Sequence, residues 1–67
     1  MNLKELTIKQ LLVIQSLSDG MSVEEIAEER HRSVQTIRKH VELARDRLKA
    51  RNFAHLIALT FRQGLIH

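Results

Sequence analysis

Cysteine, proline, tryptophan and tyrosine are absent from this sequence, and its 67 residues include only two glycines and two phenylalanines. Without cysteine the chain has neither a disulfide framework nor thiolate ligands for a metal ion. The lack of proline and the scarcity of glycine argue against a β fold with many turns, because tight turns depend on these residues. These absences favour a small all-α protein, and the length allows one domain over residues 1–67.

Long hydrophobic runs are also missing. No apolar stretch approaches the ~20 residues that a membrane-spanning helix requires, and the sequence does not begin with a basic segment followed by an apolar run. We therefore expect a cytoplasmic protein. A domain of this length buries a limited core, so a partner subunit or a bound ligand could contribute to its stability.

Charge is distributed unevenly along the chain, although the formal net charge is only +3. Residues 1–33 contain four basic and six acidic side chains, including Lys4 and Glu5, whereas residues 34–67 contain seven basic and two acidic ones. The net charges of the two parts are therefore −2 and +5. A cationic segment of this kind is either a solvated surface or one that binds a polyanion by releasing its condensed counterions.

The segment 33–49 has the clearest helical pattern. Within it, apolar residues recur at spacings of three and four at Val34, Ile37, Val41, Ala44 and Leu48. At 100° per residue they fall within about 80° of one another, as in a helix with one buried side. The residues on the far side are Gln35, Arg38, Lys39, Glu42 and Asp46. We therefore predict an amphipathic helix, capped by Ser33, whose polar face is free to contact a partner.

Capping signals indicate three further helices. Thr7 with Gln10, and Ser22 with Glu25, have the spacing of a capping box. Asn52 is a suitable N-cap for the last helix, and a glycine follows both the first and the last helix. In the first helix the predicted core-facing residues are Leu11, Leu12, Val13, Ile14 and Leu17. The predicted helices cover residues 7–19, 22–30, 33–49 and 53–63.

Only His31 and Arg32 separate the second predicted helix from the third, so a tight turn must join them. Two short helices joined in this way form a helix-turn-helix, which places its second helix in the major groove of DNA. We therefore predict that the helix over residues 33–49 reads DNA. The second helix is rich in glutamate, and we interpret its acidic side as a solvated surface kept away from DNA.

The fourth predicted helix is apolar around roughly 200° of its circumference, about twice the width that packing on one core requires. One apolar side is therefore left over. Scattered exposed apolar residues are common on small domains, but a contiguous strip more often marks an interface. We predict a symmetric homodimer through this helix. The predicted interface residues are Ala54, Ala58, Phe61 and Arg62.

Several short motifs occur in order and without an insertion along the chain. They are Leu6-Thr7, Ile26-Ala27, Ser33, Thr36-Ile37-Arg38, His40, Arg47-Leu48 and Gly64-Leu65-Ile66. Together they resemble the LuxR-type, or GerE-like, DNA-binding domain over nearly the whole sequence. The resemblance implies an all-α, four-helix domain with a central helix-turn-helix, dimerisation through the fourth helix, and control of transcription in bacteria or their mobile elements.

The resemblance also implies roles for individual positions. The position of Arg38 faces the groove, those of Thr36 and His40 approach phosphates, and those of Lys39 and Glu42 vary with the DNA sequence that is read. Members of the family usually carry a sensor domain ahead of this module. The 67 residues include no such domain, so we expect a free-standing regulator.

The sequence departs from the family pattern at several positions. Gln10 stands where Glu is preferred, which keeps the cap but loses a charged contact. Arg30 and Arg32 stand where apolar residues are usual, so either their side chains extend to water or phosphate, which we expect, or the turn is built differently. Phe53 replaces a frequent Arg and Ala50 a larger apolar residue, so the junction before the fourth helix is expected to be repacked.

The predicted DNA contacts form two groups. The base-reading residues are Gln35, Arg38, Lys39 and Glu42. The residues predicted to contact phosphate are Lys9, Ser22, Thr36, His40 and Arg45. For Thr36 and His40, a role in packing within the domain is an equal alternative. A dimer is expected to bind an inverted repeat with half-sites about 10 base pairs apart.

Two other classes of function are to be compared with a DNA-binding regulator. An enzyme is not expected, because the four histidines lack metal-ligand spacing and there is no glycine-rich phosphate loop. We predict neither a metal nor a cofactor. The remaining alternative is an interaction module, such as an anti-activator, that pairs with a longer regulator through the fourth helix. Its acidic second helix favours that alternative, whose partners would be other transcription proteins in place of double-stranded DNA.

Overall fold

A computed structural model describes residues 6–67, which form four α-helices and no strand. The helices are α1 (Ile8–Ser18), α2 (Val23–Arg30), α3 (Val34–Leu48) and α4 (Phe53–Arg62). The all-α, four-helix prediction is therefore confirmed. Lys4 and Glu5, which enter the charge of the N-terminal part, lie outside the described residues. Within residues 6–67, no helix has the length and hydrophobicity needed to cross a membrane.

The four predicted N-caps are all present. The hydroxyl of Thr7 accepts a hydrogen bond from the backbone N–H of Gln10 at 3.1 Å, and Gln10 Oε1 accepts from the Thr7 N–H at 3.0 Å. Ser22 begins α2 with the same reciprocal box, and Ser33 and Asn52 cap α3 and α4 through their side-chain oxygens. Each helix thus begins one residue after a side chain that satisfies an otherwise unpaired N–H group.

The turn between α2 and α3 is as tight as the spacing predicts. His31 ends α2 in the left-handed conformation with φ +55°. This conformation lets the N–H of Arg32 reach the carbonyl of Ala27 at 2.9 Å, which closes the end of α2. A residue other than glycine is strained there by about 1–2 kcal/mol. The turn needs this conformation because only His31 and Arg32 separate the end of α2 from Ser33, the N-cap of α3.

Two clusters of buried residues form the core, and α3 contributes to both. The first cluster joins α1, α3, α4 and the C-terminal segment; its buried members are Leu6, Ile14, Ala44, Leu56 and Ile66. The second joins α1, α2 and α3; its members are Val13, Ile26, Ala27 and Ile37. Val41 of α3 packs against both. The apolar side of α3 faces the core, as predicted, and two clusters hold it from two directions, which fixes the direction of its polar side.

One prediction about α1 is wrong. Leu12, predicted to widen the buried side of the helix, is 44% exposed, whereas the polar Gln10 is only 5% exposed. Leu12 lies roughly 160° around the helix from Ile14, which is fully buried, so both cannot face the same core. Gln10 is tolerated inside because its side-chain oxygen is bonded to the Thr7 amide.

The segment after α4 folds back onto α1. Gly64, with φ +72°, follows α4 and lets the chain turn. Ile66 is then 2% exposed within the first cluster, and the side chain of Gln15 bonds both the N–H and the carbonyl of His67, at 2.9 and 2.6 Å. These contacts attach the end of the chain to α1 and leave the outer side of α4 uncovered by this segment.

Candidate nucleic-acid interface

The four predicted base-reading residues all lie on exposed positions of α3. Lys39 lies directly opposite the middle of the apolar stripe, and Gln35 and Glu42 lie beside it, within about 60° on a helix of ideal geometry. Arg38 lies closer to the core, about 80° from the middle of the apolar stripe. The polar face of α3 therefore presents donors and acceptors of four different side chains to solvent.

The start of α3 contains a local hydrogen-bonded pair. The Ser33 hydroxyl accepts from the N–H of Thr36 at 3.1 Å and lies 2.9 Å from the Thr36 hydroxyl. Thr36 as a whole is half-buried. Only one of the two hydroxyl hydrogens is needed for the contact between the hydroxyls. The other hydrogen can be donated to an acceptor outside the helix. Thr36 therefore does take part in contacts within the domain, as its alternative role required. These contacts leave one hydroxyl donor for a phosphate oxygen.

Cationic side chains lie on both sides of the polar face. Arg45 is exposed on the same side of α3 as Arg38. His40, which is half-buried, lies on the opposite side and lines a cleft shared with Lys9 of α1. The fold thus brings together two predicted phosphate contacts, Lys9 and His40, that are far apart in the sequence.

The cleft shared by Lys9 and His40 also contains the two arginines that depart from the family pattern. Arg32 is exposed, in agreement with the expectation that it extends from the fold. Arg30 is half-buried, and its Nε is buried without a hydrogen-bond partner among residues 6–67. The side chain of Arg30 therefore extends from the fold only in part.

Ser22 lies in a different electrostatic environment. Its backbone N–H donates to Glu25 Oε1 at 2.9 Å, and its hydroxyl accepts from the N–H of Glu25 at 3.1 Å. Hydrogen bonds from the Ser22 backbone and then from its side chain lower the pKa of the Glu25 carboxyl. This end of α2 therefore carries a carboxylate, which repels phosphate, and the structure does not bring Ser22 into the group of cationic contacts.

The side of α3 that carries Arg38 is more apolar than the side that carries His40. A cleft of about 520 Å³ there is lined by the apolar side chains of Leu17, Val23, Val41 and Phe53 together with Arg38 and Glu42. Phe53, the residue that replaces a frequent Arg, is 43% exposed. Two base-reading candidates thus share a cleft with an aromatic ring. The sequence signals the change at position 53 but not its proximity to Arg38.

The predicted interface of α4 forms one continuous strip. Phe61 is 64% exposed, Ala54 and Arg62 are exposed, and Ala58 is half-buried. On an ideal helix these four residues fall within about 100° of arc. The buried side of α4 carries Leu56 and Thr60, and the Thr60 hydroxyl is satisfied by bonds to helix carbonyls at 2.9 and 3.0 Å. The strip is therefore a largely apolar surface that the core does not bury.

Comparisons with known proteins add one finding. Residues 4–60 match the family model GerE, which is described as bacterial regulatory proteins, luxR family. Comparison with curated proteins and with solved structures gives no match. In the described part of the chain, no three His, Asp or Glu side chains are grouped so that they could hold a metal ion.

Proposed function

The chain belongs to the luxR family of bacterial regulatory proteins, a family of DNA-binding helix-turn-helix regulators and not of enzymes, and we propose that it recognises a specific DNA sequence through α3. The observation that carries the proposal is the exposure of Arg38 and Lys39 on a helix whose other side is fixed by both core clusters. A rigid helix with a free polar face suits the major groove.

The proposed base contacts follow from the chemistry of the side chains on that face. Arg38 and Lys39 can donate to O6 and N7 of guanine, Gln35 can form a pair of hydrogen bonds with adenine, and Glu42 can accept from the amino group of cytosine. All four are exposed, so none has to leave the core to reach a base. The base that each residue meets depends on how α3 lies in the groove.

The proposed phosphate contacts lie on the two sides of α3. Arg45 would contact one strand, and Lys9, Thr36 and His40 the other, because the major groove is bounded by a phosphate backbone on each side. A phosphate contact by Ser22 remains a prediction. The electrostatics favour it less, since the Ser22 amide already donates to the carboxylate of Glu25. Such contacts fix the position of the protein on DNA and carry no sequence information themselves.

We propose further that two copies associate through the strip of α4 formed by Ala54, Ala58, Phe61 and Arg62. An exposed aromatic ring flanked by two alanines permits close approach of a second helix, and burial of Phe61 would remove apolar surface from water. A two-fold axis through this contact would relate two α3 helices. The proposed site is therefore an inverted repeat with half-sites about 10 base pairs apart.

Selection of bound sequences from a random duplex pool tests this proposal. We expect enrichment of an inverted repeat, and an affinity for it that falls steeply as salt is raised, because phosphate contacts release counterions. A matched duplex with a scrambled half-site is the control for dimer binding. Enrichment of a single asymmetric half-site would contradict the dimer, and the absence of any enriched sequence would contradict specific recognition.

A second candidate function is an interaction module that binds a longer regulator in place of DNA. The acidic surface of α2 favours it, since Glu25, Glu28, Glu29 and His31 line a shallow cleft with Met21. An adaptor of this kind would show no salt-dependent affinity for DNA and no loss of binding when Lys39 is replaced. The same titration of duplex against salt therefore separates the two candidates.

A further inference from the structure

The cleft between α1, α2 and α3, hereafter the basic cleft, concentrates cationic groups. Its volume is about 390 Å³. The residues that line it are Lys9, Val13, Glu29, Arg30, Arg32, Ile37 and His40. Three of these side chains carry basic groups, one is a histidine, and Glu29 is the single carboxylate. The basic cleft therefore carries an excess of positive charge.

Arg30 is the residue of this cleft that has a buried hydrogen-bond donor without an acceptor among residues 6–67. Its Nε is buried and has no hydrogen-bond partner among the described residues. A buried donor without an acceptor costs free energy, and the cost rises when the donor belongs to a charged group. An oxyanion in the cleft would give the Arg30 guanidinium an acceptor and also reduce the repulsion between Arg30, Arg32 and Lys9.

We propose that the basic cleft is a binding site for a phosphate-type anion, with Arg30 and Arg32 as its principal ligands. A guanidinium group presents Nε–H and Nη–H donors in a planar fork that matches two oxygens of a phosphate. Lys9 and His40 would add donors from α1 and α3. The sequence led us to expect that both arginines extend to water or phosphate, but it did not place them in one site with Lys9 and His40, and both stand at positions where apolar residues are usual in the family.

The position of the basic cleft is compatible with two sources of the phosphate group. His40 lies about 100° around α3 from Lys39, on the side where a DNA backbone would run if α3 occupied the major groove. A DNA phosphodiester is then one source, and this part of the inference rests on the proposed function. A free phosphate-bearing small molecule is the other source and requires no DNA binding at all.

The first experiment uses inorganic phosphate as the probe, without DNA. The full chain is titrated with phosphate at constant pH, with chloride balancing the ionic strength, while backbone amide shifts and the thermal midpoint are followed. We expect saturable shifts around Arg30, Arg32 and His40 and a higher midpoint in phosphate. Arg30→Lys keeps the charge but removes the planar fork, so it should weaken the response. Arg51→Lys, at an exposed arginine outside the cleft, should leave it unchanged.

The second experiment measures DNA affinity against salt for the wild type and Arg30→Leu. Loss of one phosphate contact should make the negative slope of log affinity against log salt shallower by about one. Between 50 and 200 mM salt, the wild type would then lose about three to four times more affinity than the variant. Arg51→Leu is the matched control, and circular dichroism checks that each variant keeps its helices.

The outcomes separate the site from the proposed function. A changed salt slope identifies the ligand as a DNA phosphate, and a phosphate response with an unchanged slope identifies a free anion; both support the site. A phosphate response in a protein that binds no duplex supports the site and contradicts the proposed function. DNA binding with a normal slope in Arg30→Leu, together with no response to phosphate, overturns the site and leaves the proposed function intact.

Discussion

The exposed sides of α3 and α4 differ in chemistry, although both helices bury their other side in the same core. Ala44 of α3 and Leu56 of α4 lie in one cluster and are fully buried. On the outside, α3 presents Gln35, Lys39 and Glu42, whereas α4 presents a strip centred on the exposed ring of Phe61. The difference shows that the core determines only one side of each helix.

The exposed side of each helix is then free to match the chemistry of the partner proposed for it, DNA for α3 and a second copy of the chain for α4. Groove edges offer hydrogen-bond donors and acceptors, so a polar face suits them, while a second protein chain is better met by apolar surface. The comparison predicts different effects for variants of the two exposed sides. Changes on α4 should affect association and, through it, DNA binding, whereas changes on α3 should affect DNA binding alone.

Phe61→Glu should have the largest effect. It places a carboxylate in the centre of the proposed dimer interface, where loss of an aromatic anchor typically costs about 2–4 kcal/mol. We expect a monomer in sedimentation experiments and a much weaker affinity for an inverted repeat. The domain itself should stay folded, because the Phe61 side chain is 64% exposed.

Leu12→Glu is the matched control for Phe61→Glu. Leu12 is also a large apolar residue on the surface, 44% exposed, but it lies on α1 and outside the α4 strip. The control should sediment like the wild type. If Phe61→Glu behaves in the same way as this control, the two exposed sides do not have different partners and the α4 interface does not exist.

Lys39→Ala should have a smaller effect and should be confined to DNA. Loss of a contact to a base edge typically costs about 1–3 kcal/mol, and it relaxes specificity at the base pair that was read. Association and thermal stability should not change, since Lys39 lies opposite the buried stripe. Competition binding with single base-pair variants of the selected site measures this effect. Arg51→Ala removes an exposed cation outside α3 and serves as the control; an equal loss in both variants would indicate general attraction without base reading.

Ser33→Ala tests the link between the fold and the polar face of α3. The Ser33 hydroxyl caps the helix through the N–H of Thr36, and removal of a serine cap typically costs about 1 kcal/mol. Thermal unfolding should show this loss, and hydrogen exchange should rise most in the first turn of α3. Ser18→Ala, at the end of α1, is the control. Unchanged exchange in the first turn would contradict the role of the cap.

Local signals explain why much of the fold could be predicted from the sequence. The caps depend on residues three positions apart, such as Ser33 and Thr36, so the local sequence alone contains the signal for them. The buried side of α3 was also predictable, because five of its apolar residues follow one helical period; Leu43, which falls outside that period, is 38% exposed. In α1, Leu12 and Val13 are both apolar, so the sequence does not say which of them faces inward.

The parts of the candidate site that the sequence does not predict depend on contacts between helices. Lys9 and His40 are 31 positions apart in the sequence, and only the packing of α1 on α3 brings them to one cleft. Burial of the Arg30 side chain depends on the same packing. The signal at Arg30 was its departure from an apolar pattern, which identifies an unusual position without showing the cleft that surrounds it.

The smallest predicted effect concerns the acidic side of the molecule, which contrasts with both exposed faces. Because hydrogen bonds from Ser22 lower the pKa of Glu25 in the folded state, its ionised form contributes to stability above the ordinary pKa of a glutamate. This contribution is lost as the pH falls through the lower folded-state value.

Glu25→Gln keeps a capping partner for Ser22 but removes the titrating group. We expect the thermal midpoint of the wild type to fall more between pH 7 and pH 3 than that of Glu25→Gln. Glu24→Gln, which removes the neighbouring exposed carboxylate, should follow the wild type. Equal acid sensitivity of Glu25→Gln and the wild type would show that the Ser22 box at the start of α2 does not depend on the carboxylate charge.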